Sequence, residues 1–226
     1  YWSPGDTINA SIGQGYFLAT PLQMALNTAA IANDGVIYRP MLVKKTVDKN
    51  GKEKATKIEN LRDIKINKNH LKVVRNAMWG VVNDPDNGTA NININQETNE
   101  VTTKWPLSNP PEADKIEIAG KTGTAEIGEP DKDGIYTHQH AWFTAYAPAN
   151  NPEIAVAVLL EDGGEGSSYA VPIADRAIRA YFELTGKRDR GLMLRTDKQP
   201  ITDEAPAPNL DALKLVPGAL VAKSDR

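Results

Sequence analysis

Two apolar stretches joined by a short turn constrain the fold of this chain more than any other feature of its sequence. Residues 140–147 and 153–161 have the composition of buried strands, and only residues 148–152 separate them. Strands with so short a connection must be antiparallel neighbours, because a parallel pair needs a crossover of a dozen or more residues. Residues 116–126 have a similar strand-like pattern. We therefore predict an antiparallel β-sheet.

The clearest helix is predicted over residues 20–35. Thr20 is a favourable N-cap, Pro21 suits the first helical position, and Gln23 completes a capping box. Small and apolar residues then recur at helical spacing, namely Leu22, Ala25, Leu26, Ala29 and Ala32. This stripe predicts that the helix packs closely against another element.

Two further helices would flank the sheet. One is predicted over residues 68–83, with apolar residues along one face. The other, capped by Ser167 or Ser168, is expected to run to about Thr185, with an apolar face formed by Ile173, Ala177, Ile178, Tyr181 and Leu184. An antiparallel sheet flanked by helices belongs to the α/β class in its α+β type.

The remaining segments suggest how the chain is divided. Residues 41–58 read as a hairpin with its turn at 48–51, whereas 91–115 are polar and predict a long surface excursion. Residues 187–226 contain four prolines and mixed charges with little periodicity. We expect residues 1–186 to form the folded unit and 187–226 a flexible C-terminal tail.

Composition excludes several classes of function. The chain has 226 residues, a net charge of −3 and no cysteine, so disulfides, thiolate metal sites and a cysteine nucleophile are excluded. Residues 44–75 carry eleven Lys and Arg against four Asp and Glu, a net charge of +7. The block lacks interleaved aromatic residues, so we interpret it as a solvated hairpin and expect no nucleic-acid partner. The longest apolar run, 154–160, is too short to cross a bilayer.

The sharpest candidate site is Lys121-Thr122-Gly123-Thr124 on the predicted strand 116–126. A polar edge strand would explain it without any function. In the functional interpretation, Lys121 supplies positive charge and the two threonines donate hydrogen bonds to a carboxylate. Gly123 would let a substrate backbone approach closely, and the Thr124 N–H could face a developing oxyanion.

Other candidate sites have weaker support. Gly13-Gln14-Gly15 lacks the further glycine and the Gly-Lys-Ser/Thr of a phosphate loop. His138 and His140 are two residues apart, so their side chains would lie on the same face of a strand and could bind a metal. Because the chain has three histidines and no cysteine thiolate, we interpret them instead as two residues at the start of the strand. Four acidic residues lie in Gly-rich turns, namely Asp131, Asp133, Asp162 and Glu165. Acidic side chains at such positions usually stabilise the turn or are solvated, and nothing in the sequence indicates that two of them form the catalytic pair of a glycosidase.

In combination, these motifs make the chain resemble the transpeptidase domain of class B penicillin-binding proteins, most closely the penicillin-binding protein 2 type of the cell-elongation machinery. The resemblance spans about residues 5–186. It is carried in the family's order by Gly5-Asp6-Thr7, Ile12 to Tyr16, Ala19 to Ala25, Ala32 to Gly35, Asn87-Gly88-Thr89-Ala90, Ala119 to Glu126, His140-Ala141-Trp142-Phe143, the turn from Glu161 to Gly166 and the last helix.

The resemblance implies a penicillin-binding transpeptidase or serine β-lactamase-like fold and a serine D,D-transpeptidase that cross-links peptidoglycan stem peptides. By that likeness, Lys121 provides positive potential and acts with Thr124 in catalysis. Thr122 and Thr124 would bind the terminal carboxylate of the substrate or of a β-lactam, and Lys121 and Gly123 would complete the substrate-binding strand. The N–H of Thr124 would be half of the oxyanion hole. No metal or organic cofactor is implied.

The chain departs from the family pattern in one important respect. The family needs a Ser-x-x-Lys motif for the nucleophile and its base, and a Ser-x-Asn motif for proton transfer. None of the six serines, Ser3, Ser11, Ser108, Ser167, Ser168 and Ser224, is followed by Lys three residues later or by Asn two residues later. We therefore expect a fold that is incomplete in this chain, a C-terminal part of a longer protein, and no activity of the isolated chain.

The resemblance also implies partners and a location. The partners would be D-Ala-D-Ala stem peptides, β-lactams, the N-terminal part of the same protein and membrane proteins of the elongation complex. The domain would lie on the external side of the bacterial cytoplasmic membrane. Two alternatives stay open: a penicillin-recognising sensor or non-catalytic scaffold, and a split protein whose second chain supplies the serine.

Overall fold

A computed structural model describes residues 1–94, 101–103, 116–128, 130–132, 136–186 and 222–223. Apart from residues 222–223, the predicted tail 187–226 lies outside this description. Four helices and ten strands are described in chain order: α1 (Pro4–Ser11), α2 (Pro21–Ala32), β1 (Val36–Tyr38), β2 (Lys45–Val47), β3 (Glu53–Ala55), β4 (Asn60–Asp63), α3 (Lys68–Asn83), β5 (Ile92–Ile94), β6 (Val101–Thr103), β7 (Ala119–Ile127), β8 (His138–Ala147), β9 (Ile154–Leu160), α4 (Gly166–Leu184) and β10 (Ala222–Lys223).

The main sheet has four strands in the order β10-β9-β8-β7, with antiparallel pairing throughout. β8 is the longest strand of this sheet, and its register places Tyr146 opposite Ala119 of β7 and Ala155 of β9. The short connection between β8 and β9 makes them neighbours, as predicted. The α+β class with an antiparallel sheet flanked by helices is confirmed.

Helices cover both faces of this sheet. α4 packs on one face, where Phe143 of β8 contacts a buried cluster that includes Ala170, Val171, Ala174, Ile178 and Phe182. On the other face, Tyr146 and Ala155 form a smaller cluster with Met78 of α3 and Ala119 of β7. The sheet is thereby held between α4 on one side and α2 and α3 on the other.

The predicted helix ends are correct for α2 and α3. The Thr20 side chain accepts from the Gln23 N–H, and the Gln23 side chain accepts from the Thr20 N–H, so the capping box is formed. α3 covers Lys68–Asn83, as its apolar periodicity predicts. Asn67 caps α3 through its side-chain oxygen.

Two predictions about α4 are wrong. The helix begins at Gly166 with Glu165 at the N-cap, whereas the sequence predicts Ser167 or Ser168 as the cap. Its buried face is rotated from the predicted one, so that Leu184 is exposed and the small residues Ala170 and Ala174 are fully buried. Small side chains allow the helix backbone to approach the sheet more closely than a face of Ile173, Tyr181 and Leu184 would.

Three two-stranded sheets complete the structure. β2 and β3 form the predicted hairpin, although its strands are shorter than residues 41–58 suggest. β1 pairs with β4 across that hairpin, and β5 pairs with β6 inside the predicted excursion 91–115. Among the described helices, none has the length and apolar character needed to cross a membrane.

Candidate functional site

The motif Lys121-Thr122-Gly123-Thr124 lies at the centre of β7, an edge strand of the main sheet. β7 pairs with β8, and no second neighbour pairs with it in the part of the chain that the structure describes. The register sets Thr122 opposite Phe143 and Gly123 opposite Trp142. Thr122 and Thr124 therefore lie on the face that carries α4, while Lys121 lies on the opposite face.

Lys121 nevertheless reaches the free edge of the strand. Its Nζ donates to the carbonyl oxygen of Thr122 at 2.6 Å, so the side chain bends around the backbone. The surrounding protein atoms desolvate the ammonium group and lower the pKa of Lys121 below its usual value. The free edge of β7 thus carries a positive charge next to the Thr122 carbonyl oxygen.

Thr122 contacts a residue that sequence reasoning did not assign to the site. The hydroxyl oxygens of Thr89 and Thr122 are 2.8 Å apart. Thr89 follows α3 in a tight turn, in which the Ala90 N–H donates to the Val81 carbonyl. A Cβ on Gly88 would lie 2.5 Å from the Asp84 carbonyl oxygen, so glycine is needed there. In the sequence, the only indication that Thr89 belongs to the site is that residues 87–90 form one of the motifs of the family resemblance.

Thr124 is contacted from two directions. The Gly166 N–H, at the start of α4, donates to the Thr124 hydroxyl at 3.3 Å. Gln14, in the loop between α1 and α2, donates from Nε2 to the Thr124 carbonyl oxygen, also at 3.3 Å. Gly13 and Gly15 flank Gln14 with φ of 80° and 71°, which favours glycine at both positions. The segment rejected as a phosphate loop therefore lies against the candidate site.

The contact with Gln14 also fixes the direction of the Thr124 backbone. In an antiparallel pair, the N–H and C=O of one residue point to the same side of the strand. Since the Thr124 carbonyl accepts from Gln14, which lies outside the sheet, we infer that the Thr124 C=O and N–H both point to the free edge. This edge can therefore offer a backbone donor, two hydroxyls and an ammonium group to an anionic ligand.

His138 and His140 lie at the start of β8 and contact one residue. His138 Nδ1 is 2.9 Å from both carboxylate oxygens of Asp162, and the Asp162 N–H donates to His140 Nδ1 at 3.0 Å. In the described residues, no group of three acidic or imidazole side chains is arranged to hold a metal ion. Asp133 lies outside those residues, and Glu165 accepts a hydrogen bond from Ser168.

Most of the described serines have local structural roles. Ser3 caps α1, Ser11 donates to the Ile8 carbonyl, and Ser168 donates to Glu165. Ser167 is buried in the first turn of α4. Ser108 and Ser224 lie outside the described residues.

Comparison with known proteins shows which family and which relatives this chain is similar to. Residues 1–179 match the family described as the penicillin binding protein transpeptidase domain. The chain is 34% identical over 189 residues to the peptidoglycan D,D-transpeptidase MrdA of Haemophilus influenzae, an alignment that covers 80% of this chain and 26% of MrdA. The chain thus spans about a quarter of the length of that relative.

Solved structures agree with this match. Penicillin-binding protein A of Mycobacterium tuberculosis, as a ceftriaxone acyl-enzyme complex, aligns with a TM-score of 0.57 and 31% identity over 76% of this chain and 34% of that one. Penicillin-binding protein 2B of Streptococcus pneumoniae aligns with a TM-score of 0.63 over 84% of this chain and 28% of that one, and at 22% identity it supports the fold alone.

Proposed function

Since this chain belongs to the family of penicillin-binding protein transpeptidase domains, we propose that it forms part of a serine D,D-transpeptidase that cross-links peptidoglycan stem peptides and is acylated by β-lactams. The observation that carries the proposal is the placement of Lys121, Thr122 and Thr124 on the edge strand β7, with the Lys121 ammonium group bent back to the Thr122 carbonyl oxygen. All three side chains can donate hydrogen bonds to one anion, and a stem peptide ending in D-Ala-D-Ala presents such an anion.

The edge of β7 would hold the terminal carboxylate of the substrate. Lys121 supplies a positive charge, and the hydroxyls of Thr122 and Thr124 supply oriented donors. Gly123 lies between them without a side chain, so that an extended peptide can approach the backbone. The carboxylate carried by the bicyclic nucleus of a penicillin would bind to the same donors.

The reaction needs a serine that this sequence does not contain in the family's Ser-x-x-Lys context. We infer that the serine comes from a segment outside the sequence, in the same protein or in a second chain. Its Oγ attacks the carbonyl of the penultimate D-Ala, and the Thr124 N–H stabilises the negative oxygen that forms. The peptide C–N bond then breaks, and the terminal D-Ala leaves as the amine after accepting the proton that the serine hydroxyl has lost.

An amine of a second stem peptide resolves the acyl-enzyme. It attacks the ester carbonyl, and the serine oxygen leaves and takes up the proton that the attacking amine loses as the new amide bond forms. In a β-lactam the bond that breaks belongs to the lactam ring, so the leaving amine stays attached to the acyl group. The resulting ester then persists on the serine.

The same proposal covers location and partners. The domain would act at the external side of the bacterial cytoplasmic membrane, where stem peptides are found, together with elongation-complex membrane proteins. The chemistry proposed here uses side chains and backbone amides, so we propose no metal or organic cofactor.

Covalent labelling tests this function. A longer protein that joins this sequence to the serine-bearing segment should form an adduct with fluorescent penicillin. Lys121→Ala should slow acylation about tenfold or more, the loss expected for one hydrogen bond to a charged group. Lys54→Ala is the matched control, since Lys54 is an exposed strand lysine of β3. Absence of any adduct in the unsubstituted protein would overturn the proposal, and normal acylation of Lys121→Ala would refute the role of Lys121.

A further inference from the structure

We propose that Gly166 is a positioning residue for Thr124: the first amide of α4 orients the Thr124 hydroxyl so that its proton points toward the anionic ligand. This inference rests on the proposed function, because the ligand is the carboxylate that the edge of β7 would bind. The observations that carry it are one hydrogen bond, one close backbone approach and the way in which α4 begins.

The start of α4 lacks the usual local cap. A helix leaves its first four N–H groups without intrahelical partners, and the N-cap side chain commonly satisfies one of them. Glu165 occupies the N-cap position of α4, but its side chain makes no capping hydrogen bond. The Gly166 N–H instead donates to the Thr124 hydroxyl, which comes from another element. Thr124 therefore takes the place of a cap for the 19-residue helix.

The fit between α4 and the sheet leaves no room for a side chain at residue 166. A Cβ on Gly166 would lie 2.2 Å from the Gly123 carbonyl oxygen and 2.4 Å from that of Trp142. Both neighbours are backbone atoms of paired strands, so neither can move without disturbing the sheet. Any other residue must push the helix start away from β7 and lengthen the bond to Thr124.

The hydrogen bond determines what Thr124 can offer to a ligand. A hydroxyl has one proton and two lone pairs. When a lone pair accepts from the Gly166 N–H, the proton is directed elsewhere and remains available for a carboxylate oxygen. Without this contact, the hydroxyl can rotate among its rotamers, and part of its population points the proton away from the ligand.

The first part of the test measures hydrogen exchange in the longer protein that joins this sequence to the serine-bearing segment, and its readout does not depend on ligand binding or acylation. Hydrogen exchange of the Gly166 amide should be slow in the unsubstituted protein and in Thr124→Ser, which keeps the hydroxyl. It should become at least about tenfold faster in Thr124→Val, which keeps the shape but removes the acceptor. Equal exchange in all three would overturn the inference.

The second part measures ligand binding in the longer protein that carries the serine. The probes are benzylpenicillin and its methyl ester, which lacks the carboxylate. Gly166→Ala should weaken the initial binding of benzylpenicillin by about tenfold and leave binding of the methyl ester unchanged. In the Thr124→Val background, Gly166→Ala should add no further loss, because the hydroxyl that it positions is absent.

The matched control is Gly80→Ala. Gly80 lies in α3, and a Cβ there meets no atom within 4 Å, so the same substitution should leave both probes unaffected. Equal weakening of both probes by Gly166→Ala would refute a positioning role and indicate general damage to the fold. If benzylpenicillin fails to acylate even the unsubstituted protein, the proposed function fails, while the exchange result still decides whether Thr124 caps α4.

Discussion

Lys121 is the one cationic side chain that we assign to ligand binding, and its pKa makes that binding sensitive to pH. Desolvation favours the neutral amine and lowers the pKa of Lys121 below the usual lysine value of 10.5. The ammonium group is therefore fully charged at pH values below the lowered pKa, and it loses its charge at a less alkaline pH than an exposed lysine does. A bound carboxylate acts in the opposite direction and raises this pKa.

We therefore predict that affinity for benzylpenicillin declines as the pH rises through the lowered pKa of Lys121. The dissociation constant for initial binding should be followed from neutral to alkaline pH in the longer protein. Lys121→Arg should abolish the decline, because a guanidinium group stays charged throughout this range. The methyl ester should bind without the decline. A benzylpenicillin profile that stays flat up to the usual lysine pKa would contradict this prediction.

The residues of the candidate site differ in how far the sequence reveals them. Lys121, Thr122 and Thr124 lie within four consecutive residues, and the alternation of side chains along a strand puts both threonines on one face. Gln14, Thr89 and Gly166 contact them across separations of 110, 33 and 42 residues. Such contacts depend on how helices and turns dock on the sheet, and no local pattern encodes that docking.

Among the elements, those with strong local signals were predicted best. The capping box of α2 and the periodicity of α3 are local, and the structure has both. The start of α4 was mispredicted because its cap comes from β7 rather than from a neighbouring residue. β1 and β4 were not predicted, since three-residue and four-residue strands have too few positions to display a period of two.

The turn that follows α3 provides a prediction for an element. Three backbone oxygens, those of Asp84, Val81 and Gly80, would lie between 2.5 and 2.9 Å from a Cβ on Gly88. Gly88→Ala should therefore lower the free energy of unfolding by about 1–3 kcal/mol, the usual cost of overpacking. It should also slow penicillin acylation, because Thr89 moves away from Thr122.

Urea denaturation and acylation, both of the longer protein, would check these two effects. Gly80→Ala, within α3 and with open space around it, should be neutral or should stabilise the helix by up to about 1 kcal/mol. If Gly88→Ala and Gly80→Ala have equal stability, the tight turn does not constrain residue 88.

On the scale of the whole molecule, the described residues leave much apolar surface uncovered. Tyr16, Leu18 and Leu42 are 80%, 92% and 86% exposed. The predicted stripe of α2 lines an open cavity of about 450 Å³ instead of packing closely along its whole length. That cavity is lined by Leu22, Ala25, Leu26, Ala29, Ala32, Met41, Ile58 and Ile154, among others.

This surface predicts how the isolated chain behaves in solution. Burial of apolar area contributes roughly 25 cal/mol per Å², so exposed side chains of this size favour association over a free monomer. We expect the chain to self-associate with increasing concentration and to bind hydrophobic dyes. On heating, it should unfold over a broad transition with a low melting temperature. Sedimentation velocity and thermal unfolding would measure these properties.

Substitutions at the exposed positions separate surface chemistry from fold stability. Leu18→Lys and Leu42→Glu replace apolar side chains that contribute little to the core, so they should reduce self-association without lowering the melting temperature. Val82→Ala is the contrasting variant, because Val82 is fully buried and its loss should destabilise the chain by about 1–3 kcal/mol without reducing association. A monomeric chain with one cooperative transition at high temperature would contradict the prediction, because the exposed apolar side chains would then impose no measurable cost.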